Sequence, residues 1–131
     1  MLVAFLLVSG LVLYMVRDTL SIPIWLADPV VKTAVRRVAT DKKEIVTLVN
    51  YDAFDYEFIN ILTSTRVLSL EDSTSEILLH DIPLTSISDA YLDIKDNRYL
   101  IIETEGGTNH AIFFVGSPDG FLRALRSAIE E

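Results

Sequence analysis

Hydrophobic and polar positions follow three different patterns along the chain. Residues 1–16 are almost entirely apolar, with no charged side chain. Residues 29–40 place apolar side chains at helical spacing, and from Glu44 onward the period changes to two, as in β-strands. Helical spacing returns after Ser117 and continues to the end of the chain. The pattern therefore predicts a mainly β protein with helices on either side of the strands.

The N-terminal apolar run predicts a membrane anchor. As a helix, sixteen residues are about 24 Å long, whereas the hydrocarbon core of a bilayer is about 30 Å thick. Extension to Ile22, just before Pro23, gives about 33 Å. We therefore predict a transmembrane helix at residues 1–22. The side chains expected to form the anchor and its interface are Leu6, Leu7, Leu11, Tyr14, Arg17 and Trp25.

Two other interpretations of the same run remain open, a secretory signal and a buried helix of a soluble fold. No basic residue precedes the run and no Ala-x-Ala pattern follows it, both of which a signal normally has. The run also lacks the polar face of a surface helix. Because the basic excess follows the span, the positive-inside rule predicts a single-pass membrane protein with its C-terminal domain on the cytoplasmic side.

Residues 23–43 predict a basic, amphipathic juxtamembrane segment. Asp28 and Pro29 form a helix start signal, so a helix is expected over residues 29–40. One interpretation places Lys32, Arg36 and Arg37 against anionic lipid headgroups. The other is an ordinary helix that packs its valines on the following domain and leaves the basic face in solvent.

Charge is distributed unevenly between the two parts of the chain. Residues 1–43 hold six basic and three acidic side chains, whereas residues 44–131 hold five basic and sixteen acidic ones. The acidic part is unsuited to nucleic acid, because phosphate contacts need clustered Lys and Arg. The chain has no cysteine, which excludes disulfides and thiolate chemistry.

Residues 44–131 predict about seven strands followed by one amphipathic helix. Gly106 and Gly107 form a hairpin signal, and Ser117 and Pro118 form a helix start signal. The expected strands cover residues 44–51, 58–62, 66–70, 76–80, 87–95, 99–104 and 110–115.

Two short segments of this region resemble a known family. Residues 62–68 read Leu-Thr-Ser-Thr-Arg-Val-Leu, and residues 82–87 read Ile-Pro-Leu-Thr-Ser-Ile. They are similar to a hairpin and a strand of bacterial domains with the pleckstrin-homology (PH) superfold, which are often fused to membrane helices. The resemblance implies a PH-like domain over residues 44–131, a bent antiparallel sheet or partly open barrel capped by the C-terminal helix. It also implies that Thr63 and Arg66 shape a hairpin and are not catalytic.

The loop after the first predicted strand is acidic and aromatic. Acidic side chains there would repel a phosphate, so a phosphoinositide site is not expected. Tyr51, Phe54 and Tyr56 are expected to contact a protein partner, because aromatic side chains supply contact area at low entropic cost. The alternative is that Phe54 and Phe58 pack into the end of the barrel.

No catalytic, metal or cofactor site is predicted. His80 and His110 are the only histidines, and each is interpreted as an ordinary strand side chain. Asp89, Asp93 and Asp96 lack the spacing of a calcium loop. We therefore expect neither an enzyme nor a small-molecule substrate.

The function predicted from these features is a non-catalytic, membrane-anchored protein-interaction module. It would be an accessory or assembly subunit that braces the cytoplasmic face of a larger membrane complex, with integral membrane proteins and membrane lipid as its partners. The alternative is a peripheral membrane sensor that binds anionic lipid through residues 29–43.

Overall fold

A computed structural model describes residues 21–39, 41 and 43–130, which form a mainly β structure with two helices. The strands are β1 (Ile22–Pro23), β2 (Val46–Asn50), β3 (Glu57–Thr63), β4 (Arg66–Asp72), β5 (His80–Pro83), β6 (Ile87–Leu92), β7 (Tyr99–Thr104) and β8 (Asn109–Phe113). The helices are α1 (Pro29–Val38) and α2 (Asp119–Glu130), and the 3₁₀ turns are Ile24–Leu26 and Leu84–Ser86.

The strands form two antiparallel sheets. Sheet A has the order β1-β2-β3-β4-β5, and sheet B has the order β6-β7-β8. The predicted single bent sheet or partly open barrel is therefore wrong. The chain leaves sheet A at Pro83, which has no N–H for a further ladder bond, and the turn Leu84–Ser86 carries it into sheet B.

Helix α1 covers one face of sheet A. Val31, Ala34 and Val35 are buried and pack with side chains of sheet A such as Ile59 and Ile61. The helix therefore shares its core with the strands, as in the second interpretation of the basic segment. The boundary expected at residue 43 does not correspond to a break in this core.

The other face of sheet A packs against sheet B and helix α2. Leu62 and Val67 of sheet A belong to the same buried cluster as Phe121 and Leu125 of α2. The ring of Phe121 meets that of Phe114 edge to face, with 5.1 Å between ring centroids. Strand β3 is thus buried on both faces, with Ile59 and Ile61 towards α1 and Leu62 towards sheet B and α2.

The predicted transmembrane helix requires correction. In the part of the chain described, no helix is both long and apolar enough to cross a bilayer. Ile22, the last residue of the predicted span, pairs with Val49 in strand β1, so it does not belong to a membrane-crossing helix. The structure therefore does not support a single-pass membrane protein or the orientation predicted for it. The remaining anchor residues predicted, Leu6, Leu7, Leu11, Tyr14 and Arg17, lie outside the described residues.

The fourth predicted strand is also misplaced. Instead of residues 76–80, the strand is His80–Pro83, and Ile77 and Leu79 are exposed in the preceding loop. The carboxylate of Asp72 accepts hydrogen bonds from Thr74 N–H and from the Thr74 and Ser75 hydroxyls. These bonds turn the chain directly after β4.

Candidate functional site

A surface groove runs between helix α1, the turn Ile24–Leu26 and the start of strand β2. Its volume is about 530 Å³. We call it the Trp25 groove. Its apolar lining consists of Ile24, Trp25, Val35, Ala39, Ile45 and Val46, and its charged lining consists of Lys32, Arg36 and Glu44.

The apolar lining includes two large, unusually exposed side chains. Trp25 and Ile45 are each 70% exposed, although neighbouring Val35 is buried. Trp25 lies in the 3₁₀ turn that connects β1 to α1, and Ile45 directly precedes β2. An exposed tryptophan beside an apolar groove is typical of a binding surface.

The basic side chains of α1 take different positions around this groove. Lys32 and Arg36 line it, whereas Arg37 donates from Nη1 to the carbonyls of Ser73 (3.3 Å) and Ser75 (3.4 Å). Of the three predicted lipid contacts, Arg37 thus ties α1 to the β4–β5 loop. Lys32 and Arg36 give the groove a positive rim.

The groove-lining residue Glu44 belongs to an ion-pair network. The Glu44 carboxylate receives Arg66 Nε on Oε1 at 2.7 Å and Arg66 Nη2 on Oε2 at 3.0 Å, and the Thr63 hydroxyl donates to Oε1 at 2.6 Å. Arg66 also donates to the Val38 carbonyl at the end of α1 and to Asp81 of β5. The network therefore fixes α1, β4 and β5 to one another.

The negative charge of Glu44 is therefore balanced by the positive charge of Arg66. The hydrogen bonds from Arg66 hold the pKa of Glu44 below its ordinary value, and burial opposes them only in part. Its side chain is 1% exposed. The charge that the groove presents to a partner is therefore that of Lys32 and Arg36.

The Thr63 side chain lies at the turn between β3 and β4. The Thr63 hydroxyl accepts hydrogen bonds from the N–H groups of Thr65 and Arg66, within the β3–β4 hairpin. These bonds shape the tight turn between the two strands.

The three aromatic residues predicted to contact a partner do not form one surface. Tyr51 is 1% exposed, and its hydroxyl accepts the Asp28 N–H at 3.1 Å. Tyr56 stacks on Tyr51 with 6.4 Å between ring centroids. Only Phe54, which is 74% exposed, stands out from the loop. Burial of Tyr51 leaves it no area to offer a partner.

The structure brings together two residues that the sequence interpretation kept apart. The His80 ring of β5 meets the His110 ring of β8, with Nδ1 atoms 3.0 Å apart. Thirty residues separate them in the chain, so no local pattern could have paired them. The Trp25 groove was missed for the same reason, because it is lined by residues of α1, of the turn Ile24–Leu26 and of the start of β2.

No protein-family model matches the chain, and no curated protein and no solved structure is similar to it. The resemblance to PH-like domains therefore stays a prediction, and function rests on the geometry of the chain itself.

Proposed function

We propose that this protein is a non-catalytic interaction module whose Trp25 groove binds a protein segment that combines apolar and acidic side chains. The observation that carries the proposal is Trp25 itself, a large aromatic side chain that is 70% exposed beside an apolar groove. Removal of such a side chain from water on binding yields a large share of interface free energy.

Charge complementarity supports the choice of an acidic segment. Lys32 and Arg36 lie at the groove, and Glu44 is neutralised there by Arg66. The chain as a whole has a net charge of −8, so a positive rim is a local exception. The positive rim attracts an acidic segment to the groove, while the acidic remainder of the protein surface repels it.

The packing of α1 against sheet A favours a protein segment over a lipid surface as the binding partner. An interfacial helix inserts its apolar face among the acyl chains, but Val31, Ala34 and Val35 are already buried against sheet A. The apolar area left to a partner lies in a concave groove, which suits an inserted side chain better than a flat membrane.

Tryptophan fluorescence tests the proposal directly, because Trp25 is the only tryptophan in the chain. The full-length chain is titrated with a synthetic peptide that alternates Leu or Phe with Glu, and with a matched peptide that carries Lys in place of Glu. We expect a saturable blue shift with the acidic peptide, weakened by salt, and a much smaller effect with the basic one.

Charge-reversal variants locate the binding surface. The double variant K32E/R36E is expected to weaken binding of the acidic peptide at least tenfold. R123E, on the exposed surface of α2, reverses a comparable charge at a different surface and should bind as the wild type does.

Three results would overturn the proposal: equal binding of both peptides, equal weakening by R123E, or no shift with either peptide. Vesicles that contain anionic phosphatidylserine form a further arm of the titration. A blue shift with these vesicles and none with the peptides would assign the surface to a membrane instead.

A further inference from the structure

The two histidines of the chain meet where the two sheets approach one another. His80 begins β5, an edge strand of sheet A, and His110 lies in β8, an edge strand of sheet B. Their rings are 5.2 Å apart between centroids and inclined by 73°. The Nδ1 to Nδ1 distance of 3.0 Å joins two strands that are not neighbours in either sheet.

This contact places two nitrogen lone-pair positions next to each other. When both rings are neutral, one Nδ1 carries a hydrogen and donates it to the lone pair of the other. If the first ring takes its other tautomer, with the hydrogen on Nε2, both Nδ1 atoms become acceptors. Two such imidazole nitrogens on rigid strands are a ligand pair for a transition-metal ion.

We propose that His80 and His110 bind one divalent transition-metal ion of tetragonal geometry, Cu²⁺ or Ni²⁺, through their Nδ1 atoms. Two nitrogens 3.0 Å apart, each about 2.0 Å from an ion, subtend an angle of about 95° at that ion. That angle fits neighbouring positions of a square-planar or octahedral ion. Tetrahedral Zn²⁺ would need a separation of about 3.3 Å.

The surroundings of the pair suit a bound cation. A cavity of about 120 Å³ adjoins His80, and none of the residues that line it carries a positive charge. Water molecules would complete the coordination, since within the described residues no third His, Asp or Glu forms a cluster with the pair.

A buried hydrogen-bond network holds the two sheets in register beside the pair. Asn60 of β3 donates from Nδ2 to the Phe113 carbonyl of β8 at 2.9 Å, and its Oδ1 accepts the Ser69 hydroxyl at 2.7 Å. Ser69 is the direct cross-strand partner of His80. The network thus fixes both ligand-bearing strands before a metal arrives, which lowers the entropic cost of binding.

Metal titration of the full-length chain, free of any affinity tag, tests the site. We expect one equivalent of Cu²⁺ or Ni²⁺ to bind in isothermal calorimetry, tighter than Zn²⁺, and excess Ca²⁺ not to compete because it prefers oxygen ligands. The electron paramagnetic resonance spectrum of the Cu²⁺ form should be tetragonal with two nitrogen ligands.

Variants separate this site from adventitious binding by surface carboxylates. H80N and H110N are each expected to weaken binding at least tenfold, whereas D81N, which removes the exposed carboxylate next to His80, should bind as the wild type does. The folded state of each variant is checked by its circular dichroism and its urea unfolding midpoint.

The proposal is overturned if the double variant H80N/H110N retains the affinity, if D81N loses it, or if Zn²⁺ binds more tightly than Cu²⁺ and Ni²⁺. If the histidine variants fail to fold, proton NMR of the wild type tests whether both histidines bind the metal ion. Substoichiometric Cu²⁺ must broaden the ring resonances of both histidines together, and broadening of one or neither would contradict the site.

Discussion

Arg66 holds both carboxylate oxygens of Glu44, through Nε at 2.7 Å and Nη2 at 3.0 Å. The same guanidinium donates from Nη2 to the Val38 carbonyl, so one side chain joins β4 to the segment before β2 and to the end of α1. Bidentate pairing of this kind adds geometric specificity as well as energy.

Removal of the Glu44 carboxylate should destabilise the fold. E44Q removes the carboxylate that pairs with Arg66, whose side chain is 23% exposed, and leaves the exposed Asp81 as its remaining carboxylate partner in the described network. We expect a loss of about 2 kcal/mol in the free energy of unfolding, measured by urea denaturation. D81N removes the more exposed of the two carboxylates and should cost less than about 1 kcal/mol. Equal losses would show that Glu44 has no special place in the network.

Because α1 packs on sheet A, we expect substitutions at neighbouring helix positions to differ sharply in their effect on the free energy of unfolding. Ala34 is fully buried and Thr33 is exposed. A34E places a charge in the core and should cost more than about 3 kcal/mol of unfolding free energy. T33E carries the same residue on the solvent face and should stay within about 0.5 kcal/mol. If A34E is tolerated as well as T33E, α1 is not part of the core.

Asn60 hydrogen-bonds to Phe113 across the two sheets and to Ser69 within sheet A, so we expect the removal of these bonds to lower the free energy of unfolding. N60A leaves the Phe113 carbonyl and the Ser69 hydroxyl without their partner, and both lie near the buried contact between the sheets. We expect a loss of about 2 kcal/mol, seen as a lower urea midpoint. N109A, at an exposed position of β8, is the control and should have little effect. A neutral N60A would mean that the sheets are held by apolar packing alone.

The lowered pKa of His80 predicts a dependence of stability on pH. Burial, and then His110, place the folded-state pKa below the unfolded value of about 6.5. As pH falls below about 6.5, the unfolded chain binds the proton first, so the free energy of unfolding decreases until the folded-state pKa is reached. Unfolding curves from pH 7.5 to 5 should reveal this loss, and it should be absent in H80N.

Glu44 predicts a second loss of stability in a more acidic range. Arg66 lowers the folded-state pKa of Glu44 below its ordinary value of 4.5, so its contribution is complete above that pH. It is lost as pH falls through the folded-state pKa. The difference in unfolding free energy between wild type and E44Q should therefore shrink on acidification below about pH 4.5, whereas an unchanged difference would contradict the ion pair.

The sequence by itself determined the local elements of the β region. Alternating apolar positions predicted most strands to within a few residues, and Asp28-Pro29 marked the start of α1. The pair Gly106-Gly107 marked the β7–β8 turn, where Gly107 has φ of +83° that favours glycine. These features depend on neighbours within a few residues, which a sequence displays directly.

Tertiary structure alone decided what those elements pack against. The basic residues of α1 were compatible with lipid or with solvent until Val31, Ala34 and Val35 were found buried on sheet A. Ile22 was compatible with an apolar helix until it paired with Val49. The Glu44–Arg66 pair and the His80–His110 contact join residues 22 and 30 positions apart. Such contacts depend on how sheets and helices stack, and no periodicity of the chain encodes that.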